Sequence, residues 1–146
     1  MFNIKEFIME QSDLKGKWEL ISWTHKSIKD NVIHFPFGMR PKGHMEFSEN
    51  KFMSFAHKNF KAMESSVKIN SPLYDVAVSE ISTSGSYELM GNKIMLHYEE
   101  SSMPSLIQQN RERAIWFDGH QTMVISGNMM VEGQEYSTHA TFIRVV

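Results

Sequence analysis

The sequence predicts an all-β domain of about nine antiparallel strands behind a short helix, arranged as a sandwich or as an up-and-down barrel. Three observations carry this. From Lys17 onward, short runs rich in Trp, Ile, Phe and Thr are separated by turn residues, and such residues suit a pleated, half-buried surface. Glu49-Asn50, Gly91-Asn92 and Asp118-Gly119 stand between such runs, where tight hairpins place polar and glycine residues. No helical periodicity is interleaved with the strands, so the crossovers of a parallel sheet are missing.

Residues 3–11 read as a short amphipathic helix, because Ile4, Phe7 and Ile8 stand at i, i+3 and i+4 on one stripe. With Ser12 or Asp13 opening a single turn that Gly16 ends, residues 1–13 are expected to cap the domain. The first long strand covers residues 17–28 and the second 32–37. Pro36, Gly38, Pro41 and Gly43 then mark a lid or corner, since proline donates nothing to a strand ladder. Residues 43–48 and 51–57 flank Glu49-Asn50 as a hairpin. Residues 59–70 read as loop or loose helix, and 72–81 as a helical turn spaced by Leu73, Val76, Ala77 and Glu80. Strands at 85–89, 93–99, 112–117, 122–126 and 134–146 complete the set.

Composition narrows the class. A chain of 146 residues fits one domain over its whole length, and 41% hydrophobic with 22% charged residues is globular composition. A formal charge of -2 offers no field for nucleic acid or an anionic bilayer, so neither is expected as a partner. Without cysteine there is no disulfide, thiolate metal site or cysteine nucleophile, which favours a reducing, cytoplasmic setting. Lys5, Glu6 and Glu10 break the amino-terminal apolar run, so it has no secretory h-region.

Gly16-x-Trp18 at the start of the first strand is similar to the opening signature of lipocalin and calycin barrels. A longer likeness follows in Leu14 to Trp23, Pro36-Phe37-Gly38 with Pro41-x-Gly43, Phe47 and Met53-Ser54. It continues through Gly85-x-Tyr87, Leu96-His97, Ser102-x-Pro104, and Arg113 ahead of Gly119. Over roughly residues 14–126 the chain resembles the bacterial and fungal lipocalin-like domain family. The resemblance implies a closed up-and-down barrel of eight to nine strands, with Trp18 covered by Arg144 at one end. A closed sheet of about eight strands has no free edge and leaves room for side chains or one small ligand.

Met45, Phe47, Met53 and Phe55 are expected on one face of their hairpin as an apolar wall, with Trp23 as a further ligand contact. Twelve methionines suit an adaptable cavity, or simply fill a core. Tyr87, His97 and Arg113 match the family pattern on three successive strands. Together they would grip a carboxylate or enolate: Arg113 forking onto the anion, His97 moving a proton, Tyr87 donating to an oxyanion. Alternation with Ile94, Leu96 and Tyr98 instead puts His97 on the wetter face, where it and Arg113 would serve surface or structural hydrogen bonds. The seven histidines form no His-x-His or His-x₃-His pair, and no metal or cofactor is expected.

Three functions follow. A barrel enclosing a small apolar or amphipathic molecule needs only the cavity. A cofactor-free cyclase or isomerase of a biosynthetic intermediate would use the same cavity with Tyr87, His97 or Arg113 as its catalytic groups. A partner-binding domain would dock through the amino-terminal helix, and a homodimer is the candidate assembly.

Overall fold

The computed structural model describes residues 9–58, 80–131 and 133–145. The expected helix over residues 3–11 and the helical turn from Pro72 lie mostly outside these residues, as does the 59–70 segment. One helical turn, α1 (Gln11–Leu14), leads into β1 (Gly16–Ser27). It opens one residue earlier than Ser12: the Glu10 amide donates to the Asp13 carboxylate at 2.8 Å, so Asp13 caps from inside the turn.

The strands that follow are β2 (Ile33–His34), β3 (Lys42–Phe47), β4 (Lys51–His57), β5 (Glu80–Met90), β6 (Lys93–Ser101), β7 (Asn110–Asp118), β8 (Thr122–Val131) and β9 (Gln134–Arg144). Every neighbouring pair from β3 to β9 is antiparallel, and β1 joins both β3 and β9. The result is a closed eight-stranded barrel with β2 as an extra strand on β1. Closure leaves no barrel strand with an open edge of unpaired amides.

β2, β5 and β8 differ most from the sequence expectation, β8 running through Gly127 to Val131 rather than ending at Ser126. β2 pairs with β1 only through Ile33 and His34, because the chain turns at Phe35, where the carbonyl accepts from the Gly38 amide at 3.1 Å. Pro36 cannot extend the ladder, and Phe37 swings into the core, 1% exposed, with its ring 5.0 Å from that of Trp23. β5 begins at Glu80 rather than Gly85, so Glu80 and Ile81 are strand and not the end of a helix. Ile81, Thr83, Gly85 and Tyr87 alternate inward against Ala56, Ser54 and Phe52 of β4. Opposite the β6 bulge at Glu99, a side chain on Gly85 would collide with the His97 carbonyl, which explains the glycine.

The barrel half beside α1 is filled. Trp18 is fully buried, its indole N–H donates to the Leu14 carbonyl at 2.9 Å, and the Arg144 guanidinium lies 4.2 Å from its ring centroid. Arg144 also donates to the carbonyls of Asp13, Lys15 and His120. The expected Trp18–Arg144 stack therefore seals this end, with the guanidinium hydrogen bonds joining the α1–β1 junction to the β7–β8 turn. Phe47, Tyr87, Ile94 and Met123 pack the interior above it.

Candidate functional site

The other half of the barrel is hollow. A cavity of about 290 Å³ lies among β1, β3 to β9 and the 3-10 turn at Pro104–Leu106. Its floor is apolar: Met45, Phe52, Leu96, Ile125 and Phe142 separate it from the filled half. Met103, Leu106 and Met129 line it toward the end remote from α1.

A register shift in β1 creates one wall. Trp18 and Leu20 point inward, and simple alternation would send Trp23 and His25 outward. Leu20 pairs with Phe142 while Ser22 already pairs with Thr141, so Ile21 is the extra residue of a bulge. The bulge turns Trp23 and His25 into the barrel. The Trp23 indole N–H donates to His25 Nε2 at 3.0 Å, which places the imidazole proton on Nδ1 in the neutral ring. Burial, helped by the charges of His34 and Arg113, lowers the His25 pKa from 6.5 to about 3. His25 is thus a neutral polar wall residue with its Nε2 lone pair already occupied.

β7 builds the opposite chemistry. Arg111, Arg113, Ile115 and Phe117 alternate on its inner face, and the two arginines line the cavity. Arg113 Nη1 donates to the Glu112 carbonyl at 3.1 Å, and its guanidinium lies over Gly127, where any side chain would strike it. Arg111 donates to the Gln109 side chain at 3.1 Å, while its Nε is buried without a hydrogen-bond partner among the described residues. Burial pushes the neighbouring Tyr98 phenol up, against the opposing pull of Arg113 and Arg111. No Asp or Glu is among the described residues that line the cavity.

Placement of the expected site residues is mixed. Trp23, Met45 and Arg113 line the cavity. Phe47 points inward but packs edge-on against Tyr87 in the filled half, with ring centroids 5.3 Å apart. Met53 and Phe55 require a correction: they do not share a face with Met45 and Phe47. The two-residue turn pairs Phe47 with Phe52 and Met45 with Ser54, so Phe52, Ser54 and Ala56 point inward, and Met53 is 45% exposed on the outer surface. Phe55 stacks outside against His44 and His57.

The Tyr87, His97 and Arg113 trio is not assembled. Tyr87 donates to the Ser48 carbonyl at 2.8 Å, tying the β3–β4 turn down, and burial raises its pKa. His97 points outward between inward Leu96 and Tyr98 and pairs with the Asn110 side chain, as alternation indicates. Only Arg113 of the three reaches the cavity. Arg111 and His25 were missed by sequence reasoning. The Arg111-x-Arg113-x-Ile115-x-Phe117 alternation was a signal for Arg111, whereas the bulge that turns His25 inward has no local signature.

Among the described residues no group of three or more His, Cys, Asp or Glu is placed to hold a metal, and no helix is long and apolar enough to cross a membrane. A family model described as a lipocalin-like domain matches residues 15–144. No curated protein matches the sequence. Among solved structures the chain is similar to a redesigned beta barrel, at 14% identity and TM-score 0.47, covering 97% of this chain and 100% of that one. It is also similar to a de novo designed fluorescence-activating beta barrel, at 13% identity and TM-score 0.45, covering 92% and 96% of the two chains.

Proposed function

This chain belongs to the lipocalin-like domain family, and from that premise we propose that its barrel holds one small apolar or amphipathic molecule in the hollow half. The observation that carries the reading is the contrast along the barrel axis: tight packing from Trp18 to Tyr87, then about 290 Å³ of space walled by apolar side chains and a few placed polar groups. That combination is the usual form of a small-molecule site, at the small end of the usual size range of roughly 300–1,000 Å³. Met45, Met103 and Met129 give the walls adaptable, polarizable surfaces. The dispersal of Tyr87, His97 and Arg113 favours holding a molecule over transforming one. The absence of cysteine supports a cytoplasmic setting.

Calorimetric titration with 1-octanol tests this. At about 30 Å³ per water-sized heavy atom the cavity has room for roughly ten such atoms, and octanol fits. Saturable one-to-one uptake is expected, weakened about tenfold or more in Ala140→Phe, which fills the space beside Trp23 and Phe142. Melting of the variant should stay within a few degrees of the parent. Failure of the parent to take up octanol, or equal uptake by the plugged variant, contradicts the proposal.

A further inference from the structure

We infer that the molecule held in the barrel is a compact uncharged carbonyl compound, its oxygen against the hydroxyls of Ser54, Thr83 and Tyr98 and its apolar face against Trp23 and Phe142. This rests on the cavity reading above and names the ligand class for that same site.

The inference starts from which polar groups at the cavity already serve the protein. Thr138 donates to the Gly127 carbonyl at 3.3 Å, and His25 Nε2 accepts from Trp23. Arg113 and Arg111 hold the Glu112 carbonyl and the Gln109 side chain, and the Arg111 Nε is enclosed by protein, out of a ligand's reach. The wall made by β4, β5 and β6 differs. Ser54, Thr83 and Tyr98 line the cavity, and none of their hydroxyls has a hydrogen-bond partner among the described residues. None of the three is fully enclosed either, so each keeps an open face. A ligand gains hydrogen bonds there without displacing any that the protein makes.

Register brings the three hydroxyls together. Ser54 pairs directly with Thr83 across the β4–β5 ladder, and Tyr98 pairs with Gly85, the next inward position along β5. Adjacent strands lie about 4.8 Å apart, so the three groups converge on one region. Phe52 holds the Tyr98 ring edge-on, with centroids 5.7 Å apart, and burial pushes the phenol up, so it stays protonated and donates. Across the barrel, β8, β9 and β1 present Ile125, Ala140, Phe142 and Trp23. A molecule that suits both walls has an oxygen acceptor on one edge and an apolar body on the other. The hydroxyl wall is neutral and offers an ion no counter-charge for its lost hydration, which favours a carbonyl oxygen as the acceptor. Room for roughly ten water-sized heavy atoms suits a single-ring ketone and not a long-chain lipid.

The test compares three probes of one shape at pH 7: acetophenone, α-methylstyrene with a methylene in place of the carbonyl oxygen, and benzoate with a carboxylate. The parent protein is expected to bind acetophenone at least as tightly as α-methylstyrene, although the hydrocarbon gains more on leaving water, and more tightly than benzoate. Tyr98→Phe and Thr83→Val should each weaken acetophenone about fivefold or more while changing α-methylstyrene less than about twofold. Tighter binding of the hydrocarbon or of benzoate by the parent overturns the uncharged carbonyl assignment, as does failure to take up acetophenone. Acetophenone binding that is unchanged in both variants overturns the assignment to these hydroxyls. Each of these results leaves the cavity reading standing so long as octanol is taken up, and refusal of octanol as well overturns both. The parent comparison requires no variant, so a variant that fails to fold does not remove the test.

Discussion

Replacing Trp18 by Ala should destabilise the barrel by about 3–5 kcal/mol, the usual cost of deleting a fully buried large aromatic. Several losses coincide at this position. The indole fills the sealed end beside Phe117, with ring centroids 5.8 Å apart. Its N–H satisfies the Leu14 carbonyl, and its face supports the Arg144 guanidinium. Domains of this size have only about 5–15 kcal/mol of total stability, so the variant should melt on the order of 10 °C lower or fail to accumulate folded. Trp116→Ala is the control. Trp116 is 44% exposed on the outer face of β7, and its removal should cost on the order of 1 kcal/mol or less. Chemical denaturation midpoints of the two variants decide the matter: equal losses would mean that the Trp18–Arg144 seal is not what holds the closed end.

Acid should weaken the fold well before its carboxylates protonate. The pKa of His25 falls from 6.5 to about 3 on folding, so between those values the unfolded chain binds a proton that the folded chain refuses. The contribution of His25 to stability is fully present above pH 6.5 and drains away as pH falls toward 3. The slope from one such proton is about 1.4 kcal/mol per pH unit at its steepest, and the total is a few kcal/mol. Asp30 and Glu99 are also held below the usual carboxylate range, the first by the Val32 amide and the second by Lys51, but their effects fall at lower pH. His25→Gln keeps an acceptor for Trp23 and cannot titrate. Urea midpoints measured from pH 7 to 4.5 should therefore fall with the parent protein and fall markedly less with the variant. Parallel curves would show that the imidazole is not buried neutral.

The strands and the closed barrel were legible because alternation and turn chemistry are local signals. Lys93 to Glu99 reads from its own residues, Thr122 to Ser126 gives the first half of β8, and alternation alone indicates the outward direction of His97. What was misread or not legible depended on register. The Glu49-Asn50 turn, closed by the Ser48 amide donating to the Lys51 carbonyl at 2.9 Å, already pairs Phe47 with Phe52, so the hairpin's faces follow from the turn and the expectation for Met53 and Phe55 went against it. A single-residue error there exchanged Met53 and Phe55 for Phe52 and Ser54. The Ile21 bulge is a tertiary feature, set by where β1 must bend to meet β9, and it decides that Trp23 and His25 face the cavity. Arg111 was lost only because the β7 strand was begun at Glu112. Polar side chains inside a barrel defeat a rule that reads inward positions as apolar ones, which is why the most chemical part of the cavity was the hardest to see.

Methionine methyl spectra test the hollow barrel most directly, because the same probe stands on both sides of the wall. In protein labelled with 13C at the methionine methyls, titration with 1-octanol should shift Met45, Met103 and Met129, which line the cavity, and leave Met53 and Met90 on the outer surface unmoved. Shifts at Met53 with Met45 unmoved, or no saturable shift at any methionine, would contradict a ligand chamber inside the barrel.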